Sequence, residues 1–409
     1  MTPFFSKPAP HSRRRTALRH PGRLVGPVAV PLAALALPAV TLAACGSSGS
    51  STTTSSGSGS PALSPSGGSS LSAQLAALEK SSGKASLTED GSSLLYPLYQ
   101  SWVSGYANTH SGFSSTSGAD GSGTGIADAE SGTTVLGASD AYLPPGTSTT
   151  YPTLENIPVA ISAQMINYNL PTLAGTHLKL DGKVLAGMYD GSITNWDSSA
   201  IKALNPGVKL PNQKVVPVHR SDSSGDSFLF TSYLADSDSA SFAAKQGPST
   251  SPSFPSVSGA LAAKGNSGMV AACGSTPGCV AYIGISYLSD TQKAKLGEAM
   301  LQNRSGSFEL PSASTIHAEA SGFSHVPPNG AISLIYGSAS GGYPIINFEY
   351  VVVKTNQASA SVASGLKSFL AWAMDPTKGN SGAYLNAVNF QPLPPSALAV
   401  AVSLLKKIS

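Results

Sequence analysis

The sequence predicts an α/β fold whose sheets are mixed or mainly parallel, and three observations carry that expectation. Short apolar runs of strand length alternate with stretches whose apolar residues recur at helical spacing, the signature of layered helices and sheets. The chain has 409 residues, too many for one small core and enough for two compact lobes. Its residues are 41% hydrophobic, which suffices to bury a sizeable interior. No internal repeat is visible.

Taken in order, a short helix is expected at 73–80, and folded structure becomes firm from Ala85-Ser86-Leu87-Thr88 onward. Apolar spacing of three and four predicts helices at 95–107, 228–234, 362–373 and 397–405. Short apolar runs predict strands at 157–159, 165–168, 215–218, 280–283 and 345–353. Residues 247–258, rich in Pro and Ser, read as a surface loop. Trp102, Trp196 and Trp372 sit in apolar patterns and read as core, and His219 reads as a strand-end residue.

Charge excludes one class at once. Only 11% of residues are charged, against a usual value of about 25%. The formal net charge of +3 comes from the N-terminus, where Lys7, Arg13, Arg14, Arg15, Arg19 and Arg23 face no acid within residues 1–44. The remainder has 18 bases against 21 acids, with none of the basic stripe that nucleic-acid binding requires.

That N-terminus reads as a signal peptide. A basic segment is followed by an uncharged, mostly apolar stretch at 24–44 that Pro27, Pro31 and Pro38 interrupt, making it a poor permanent membrane helix. It ends in Leu42-Ala43-Ala44-Cys45-Gly46, which resembles the lipobox of bacterial lipoproteins. The resemblance implies that Cys45 is acylated and becomes the mature N-terminus, anchoring the chain to the outer face of the cell membrane; two or three acyl chains give stable attachment. An ordinary signal peptide with a stray cysteine is the alternative. Residues 45–83 then form a lipidated start and a Ser/Gly-rich tether. With Cys45 acylated, Cys273 and Cys279 are an even pair in an exported protein, which favours one short-loop disulfide; five intervening residues and no nearby His argue against zinc. The seven histidines do not cluster, so neither a metal site nor a cofactor is expected.

Four segments place small hydroxyl residues or glycine where helices are expected to begin: Asp90-Gly91-Ser92-Ser93-Leu94, Gly121-Ser122-Gly123-Thr124-Gly125-Ile126, Ser139-Asp140, and 220–227, Arg-Ser-Asp-Ser-Ser-Gly-Asp-Ser. Backbone N–H groups at helix starts attract anions, hydroxyls add donors, and glycine admits close approach. From Leu87 to the C-terminus, with Gly137-Ala138-Ser139-Asp140, Ile157-Pro158-Val159-Ala160, Leu180-Asp181-Gly182, Ile193-Thr194-Asn195-Trp196, Leu204-Asn205-Pro206-Gly207, His219-Arg220-Ser221-Asp222 and Tyr343-Pro344-Ile345, the chain resembles the phosphate-binding proteins of bacterial ABC importers.

The resemblance implies a type II periplasmic-binding fold: two lobes, each a mixed sheet flanked by helices, with ligand in the cleft. Residues 84–159 with 316–409 would form one lobe and 160–315 the other. It implies binding of inorganic phosphate outside the cytoplasm and delivery to an ABC permease with its cytoplasmic ATPase. Carried over position by position, the phosphate contacts are Ser93, Leu94 (through its N–H), Ser122, Asp140, Arg220, Ser224 and Gly225. The next position, commonly Thr, is Asp226, which is either a second proton acceptor or a helix cap. A buried Asp suits phosphate, which keeps a proton near neutral pH, and repels sulfate, which has none; sites built around a required hydrogen bond reject analogues lacking it by roughly 10⁴–10⁵. A receptor or sensor for another oxyanion and a secreted hydrolase or phosphatase are the alternatives. No G-x-S-x-G, H-E-x-x-H or phosphate-loop Gly-Lys-Ser/Thr supports an enzyme.

Overall fold

The computed structural model describes residues 70–79, 84–143 and 151–409. The basic segment, the Cys45 sequence and most of the tether lie outside the described residues. Twelve strands occur among them: β1 (Ala85–Gly91), β2 (Phe113–Ser117), β3 (Leu136–Ser139), β4 (Leu154–Tyr168), β5 (Lys179–Leu180), β6 (Val216–Arg220), β7 (Leu261–Ala263), β8 (Cys279–Gly284), β9 (Gly297–Glu298), β10 (Met300–Gln302), β11 (Phe308–Glu309) and β12 (Ile346–Lys354).

The main sheet runs β2-β1-β3-β12-β4-β8-β6-β7, with β9 also on β4, and β11-β10-β5 form a small separate sheet. β1 is parallel to β2 and β3, and β6 is parallel to β7 and β8. Antiparallel β12 and β4 join the two parallel groups. β4 changes partner along its length: Leu154–Ala163 pairs with β12, and Gln164–Tyr168 with β8.

The two strands expected at 157–159 and 165–168 are therefore one strand of 15 residues. Pro158, Ser162 and Gln164 break the apolar pattern that marks a buried strand, which is why the sequence reads as two pieces. In the structure Ser162 and Gln164 are buried and hydrogen-bonded to side chains from β12 and beyond. Around Pro158, which has no N–H to give, pairing steps from Glu349 with Ala160 to Tyr350 with Pro158, so that Val159 is bulged out.

Helices cover the sheet. Ala360–Met374 buries ten of its 15 residues, and Pro395–Leu405 buries six of 11, both from the apolar spacing that predicts them. Leu71–Leu78 is a helix capped by Ser70, with Leu75 wholly buried. All three tryptophans are buried. Cys273, in the last turn of the Gly265–Gly274 helix, is disulfide-bonded to Cys279 at the start of β8. Among the described residues no helix is long and apolar enough to cross a membrane.

The parallel groups position the functional loops. The C-terminal ends of β1, β2, β3, β6 and β7 lead into residues 92–95, 118–121, 140, 221–224 and 264–266. Loops at the carboxyl ends of parallel strands are where open α/β sheets hold ligands.

Candidate anion-binding site

Each loop owes its shape to local chemistry. β1 ends at Gly91, whose φ of 142° and approach to Ala138 leave no room for a Cβ, which would lie 2.1 Å from the Ala138 oxygen. The chain then turns through Ser92, whose Oγ accepts from the Leu94 and Leu95 N–H groups at 3.0 and 2.9 Å and donates to Asp140 Oδ1. Leu94 N–H, expected to face an anion, is thus held by Ser92. Ser93 Oγ accepts from Asn266 N (3.1 Å) and Nδ2 (3.0 Å).

Ser122 begins the Ser122–Ser131 helix, and its Oγ accepts from the Asp140 N–H at 3.2 Å. Ser139-Asp140, expected at a helix start, instead closes β3. Residues 140–143 bend without helical structure, so this position supplies a buried carboxylate and no helix N-terminus. The third loop does start a helix, Gly225–Ser237, capped by Ser224, whose Oγ accepts from the Ser227 N–H at 3.4 Å. Capping therefore falls to Ser224, and Asp226 is turned elsewhere.

Arg220 organises that side. Its Nε donates to Asp222 Oδ1 (2.8 Å), Nη2 to Asp222 Oδ2, and Nη1 to Asp226 Oδ2 (2.6 Å). Asp226 also accepts from Asn266 Nδ2 at 2.7 Å and Gln164 Nε2 at 3.1 Å. The second and third loops meet directly: Gly123 N–H donates to the Ser223 oxygen at 2.9 Å, and a Cβ on Gly225 would lie 2.5 Å from both Asp140 Oδ2 and Ser122 Oγ. Ser93, Ser122, Asp140, Arg220, Ser224, Gly225 and Asp226 are all buried in this cluster, as is Leu94.

Charges in so dry a place shift strongly. Burial, with repulsion from Asp226, pushes Asp140 up to about 7, against the Ser92 and Glu349 hydrogen bonds and Arg220. Burial also raises Asp226, opposed by Arg220, Gln164 and Asn266. At Asp222 burial is outweighed by the Arg220 hydrogen bonds, which hold its carboxyl below the ordinary value. One guanidinium thus faces three carboxyl groups, so an anion entering here meets acceptors as well as donors.

Sequence reasoning missed Ser92, Asp222, Asn266, Gln164 and Glu349. Asp222 and Ser92 lie inside the motifs quoted above, and Gly265-Asn266-Ser267-Gly268 has the same small, polar character at a helix start. Gln164 and Glu349 carried no local signal, being polar residues scattered in mostly apolar strands.

Residues 69–377 match the model of the PBP superfamily domain. The phosphate-binding protein PstS of Methanocaldococcus jannaschii is 32% identical over 314 residues, covering 71% of this chain and 78% of that one. The PstS of Xylella fastidiosa is 30% identical over 308 residues, covering 75% and 81%. Among solved structures, a high-affinity periplasmic phosphate-binding protein bound with phosphate aligns with a TM-score of 0.62 at 22% identity, over 78% of this chain and 93% of that one. The phosphate-binding protein of Stenotrophomonas maltophilia aligns with 0.58 at 21% identity, over 78% and 93%. The fold is the two-lobed one of periplasmic binding proteins. The chain belongs to the PBP superfamily and, within it, to the family of the PstS phosphate-binding proteins.

Proposed function

We propose that this protein binds inorganic phosphate on the outer face of the cell membrane, without turning it over, and hands it to an ABC permease. The observation that carries the reading is the buried Asp140 carboxyl packed against the Gly225 helix start and close to Arg220. A carboxylate among donors suits an oxyanion that brings its own proton. Arg220 has five N–H donors and spends three on Asp222 and Asp226, so one remains on each of Nη1 and Nη2 to bind two phosphate oxygens. The N–H groups that open the Ser122–Ser131 and Gly225–Ser237 helices add donors and the positive ends of their dipoles.

In this reading Ser93, Ser122 and Asp140 approach phosphate from a lobe of residues 84–159 with 316–409, while the Leu94 N–H stays with Ser92. Arg220, Ser224, Gly225 and Asp226 approach from a lobe of residues 160–315, and β4 is one of two crossings. The partner switch within β4, from β12 to β8, supports that crossing. Phosphate closes the lobes, and at saturation it raises the unfolding temperature, as any ligand selective for the folded state does; sulfate does not. No shift with phosphate counts against the function.

Two variants test parts of this reading. Gly225→Ala places a methyl group against Asp140 and Ser122, both buried, and forces the loops apart. Overpacking of this kind costs about 1–3 kcal/mol, so phosphate affinity falls about 5- to 150-fold by titration. Cys45→Ser removes the acylated residue and releases the protein to the soluble fraction with phosphate affinity intact; persistent membrane association would place the anchor elsewhere.

A further inference from the structure

β12 is apolar and eight of its nine residues are buried, yet it carries Glu349, which has 0% exposure. Among the described residues Glu349 forms no ion pair with Lys or Arg. An ionised carboxylate in such a position is very costly. Its Oε1 lies 2.5 Å from Ser162 Oγ and accepts from Asn347 Nδ2 at 3.1 Å, while no donor reaches Oε2. Ser162 has a single hydroxyl proton and a second acceptor, Asn347 Oδ1, at 2.7 Å. The β3–β12 register sets Tyr350 opposite Ser139, so Glu349 stands beside Asp140 where β3 ends, and Asn347 Nδ2 reaches the Asp140 carbonyl oxygen at 3.4 Å; two carboxyl groups can hydrogen-bond there only with a proton between them. The pairing is irregular at this point, since Val159, bulged out of β4, falls opposite the step from Glu349 to Tyr350.

We propose that Glu349 is a positioning residue, held as the neutral acid behind the site, which donates a hydrogen bond to Asp140 and so keeps Asp140 ready to accept the phosphate proton. The inference rests on the reading of Asp140 as the phosphate acceptor. The titratable groups around the pair are Tyr350 on β12, with Asp226 and Arg220 acting on Asp140 from the Gly225–Ser237 helix and β6. Burial and the Asp140 charge hold Glu349 well above the usual carboxyl range, and its hydrogen bond in turn draws Asp140 down against burial.

The test is phosphate affinity of the purified protein from about pH 5 to 9, a range that spans the second phosphate ionisation, for wild type, E349Q and E349L. E349Q follows wild type, because the amide keeps a donor for Asp140 and an acceptor for Ser162 and Asn347. E349L lacks the donor, Asp140 holds its proton to higher pH, and the pH below which affinity falls rises by about one pH unit. If Glu349 is an anion, both variants move that pH downward; if it only fills space, affinity changes equally at every pH. Either result overturns the proposal. Should E349L fail to fold, infrared spectroscopy of the unliganded protein decides: wild type carries a protonated-carboxyl C=O band at neutral pH that E349Q removes, and its absence overturns the proposal. Wild type that binds no phosphate at any pH overturns the phosphate reading itself, while the infrared band still decides whether Glu349 carries the proton.

Discussion

Arg220→Ala is expected to remove phosphate binding and to destabilise the fold, because the guanidinium serves both. Among the described residues it is the one cation ion-paired with Asp222 and Asp226, and its side chain is only 1% exposed. Deleting one partner of a buried ion pair costs about 3–5 kcal/mol, since the carboxylates left behind have lost their counter-charge. Part of that cost is relieved when Asp226, already raised by burial, takes up a proton. Binding suffers separately: two charge-assisted hydrogen bonds at about 1.5–3 kcal/mol each correspond to a loss of roughly 10²–10⁴-fold in phosphate affinity. Arg220→Lys keeps the charge but not the planar fork, so it restores stability better than affinity. Thermal unfolding and titration on the same samples separate the two effects. Unchanged affinity in Arg220→Ala would remove Arg220 from the site.

Asp140→Asn is the second large effect, and its signature is specificity. As an acceptor Asp140 gains a hydrogen bond from phosphate and repels sulfate. Asn at this position offers an amide that donates to a fully deprotonated oxyanion, and the repulsion is gone. A site that requires a particular hydrogen bond discriminates by roughly 10⁴–10⁵, and the variant is expected to lose most of that margin, binding phosphate more weakly and sulfate more tightly. The change is nearly isosteric and Ser92 Oγ can still donate to the remaining oxygen, so the fold should persist. Competition between phosphate and sulfate for the variant checks this.

The site was legible where its chemistry is local. Ser92-Ser93, Gly121-Ser122-Gly123 and Ser224-Gly225 advertise themselves because hydroxyls and glycine cluster where a strand hands over to a helix or turn. Arg220 and Asp140 stand out as charges in a chain with few of them. Ser139-Asp140 misled, since a small residue before Asp reads as a helix cap while the structure uses it to end β3. Gln164 and Glu349 were invisible for a common reason. Each is a polar residue in a buried strand whose partners come from distant segments, Asp226 for Gln164 and Ser162 for Glu349, and only the sheet order brings them together. The continuity of β4 was hidden likewise, because Ser162 and Gln164 look like surface residues until their buried partners are known. The secondary elements follow from local pattern; the charge network follows from topology.

The measurement that bears most directly on the central claim is an equilibrium titration of the wild-type protein with phosphate and, separately, with sulfate at neutral pH. The account predicts one phosphate bound per chain and sulfate weaker by at least about 10³-fold, because Asp140 needs a proton from its ligand. Equal affinity for the two anions, or no binding of phosphate, would contradict it.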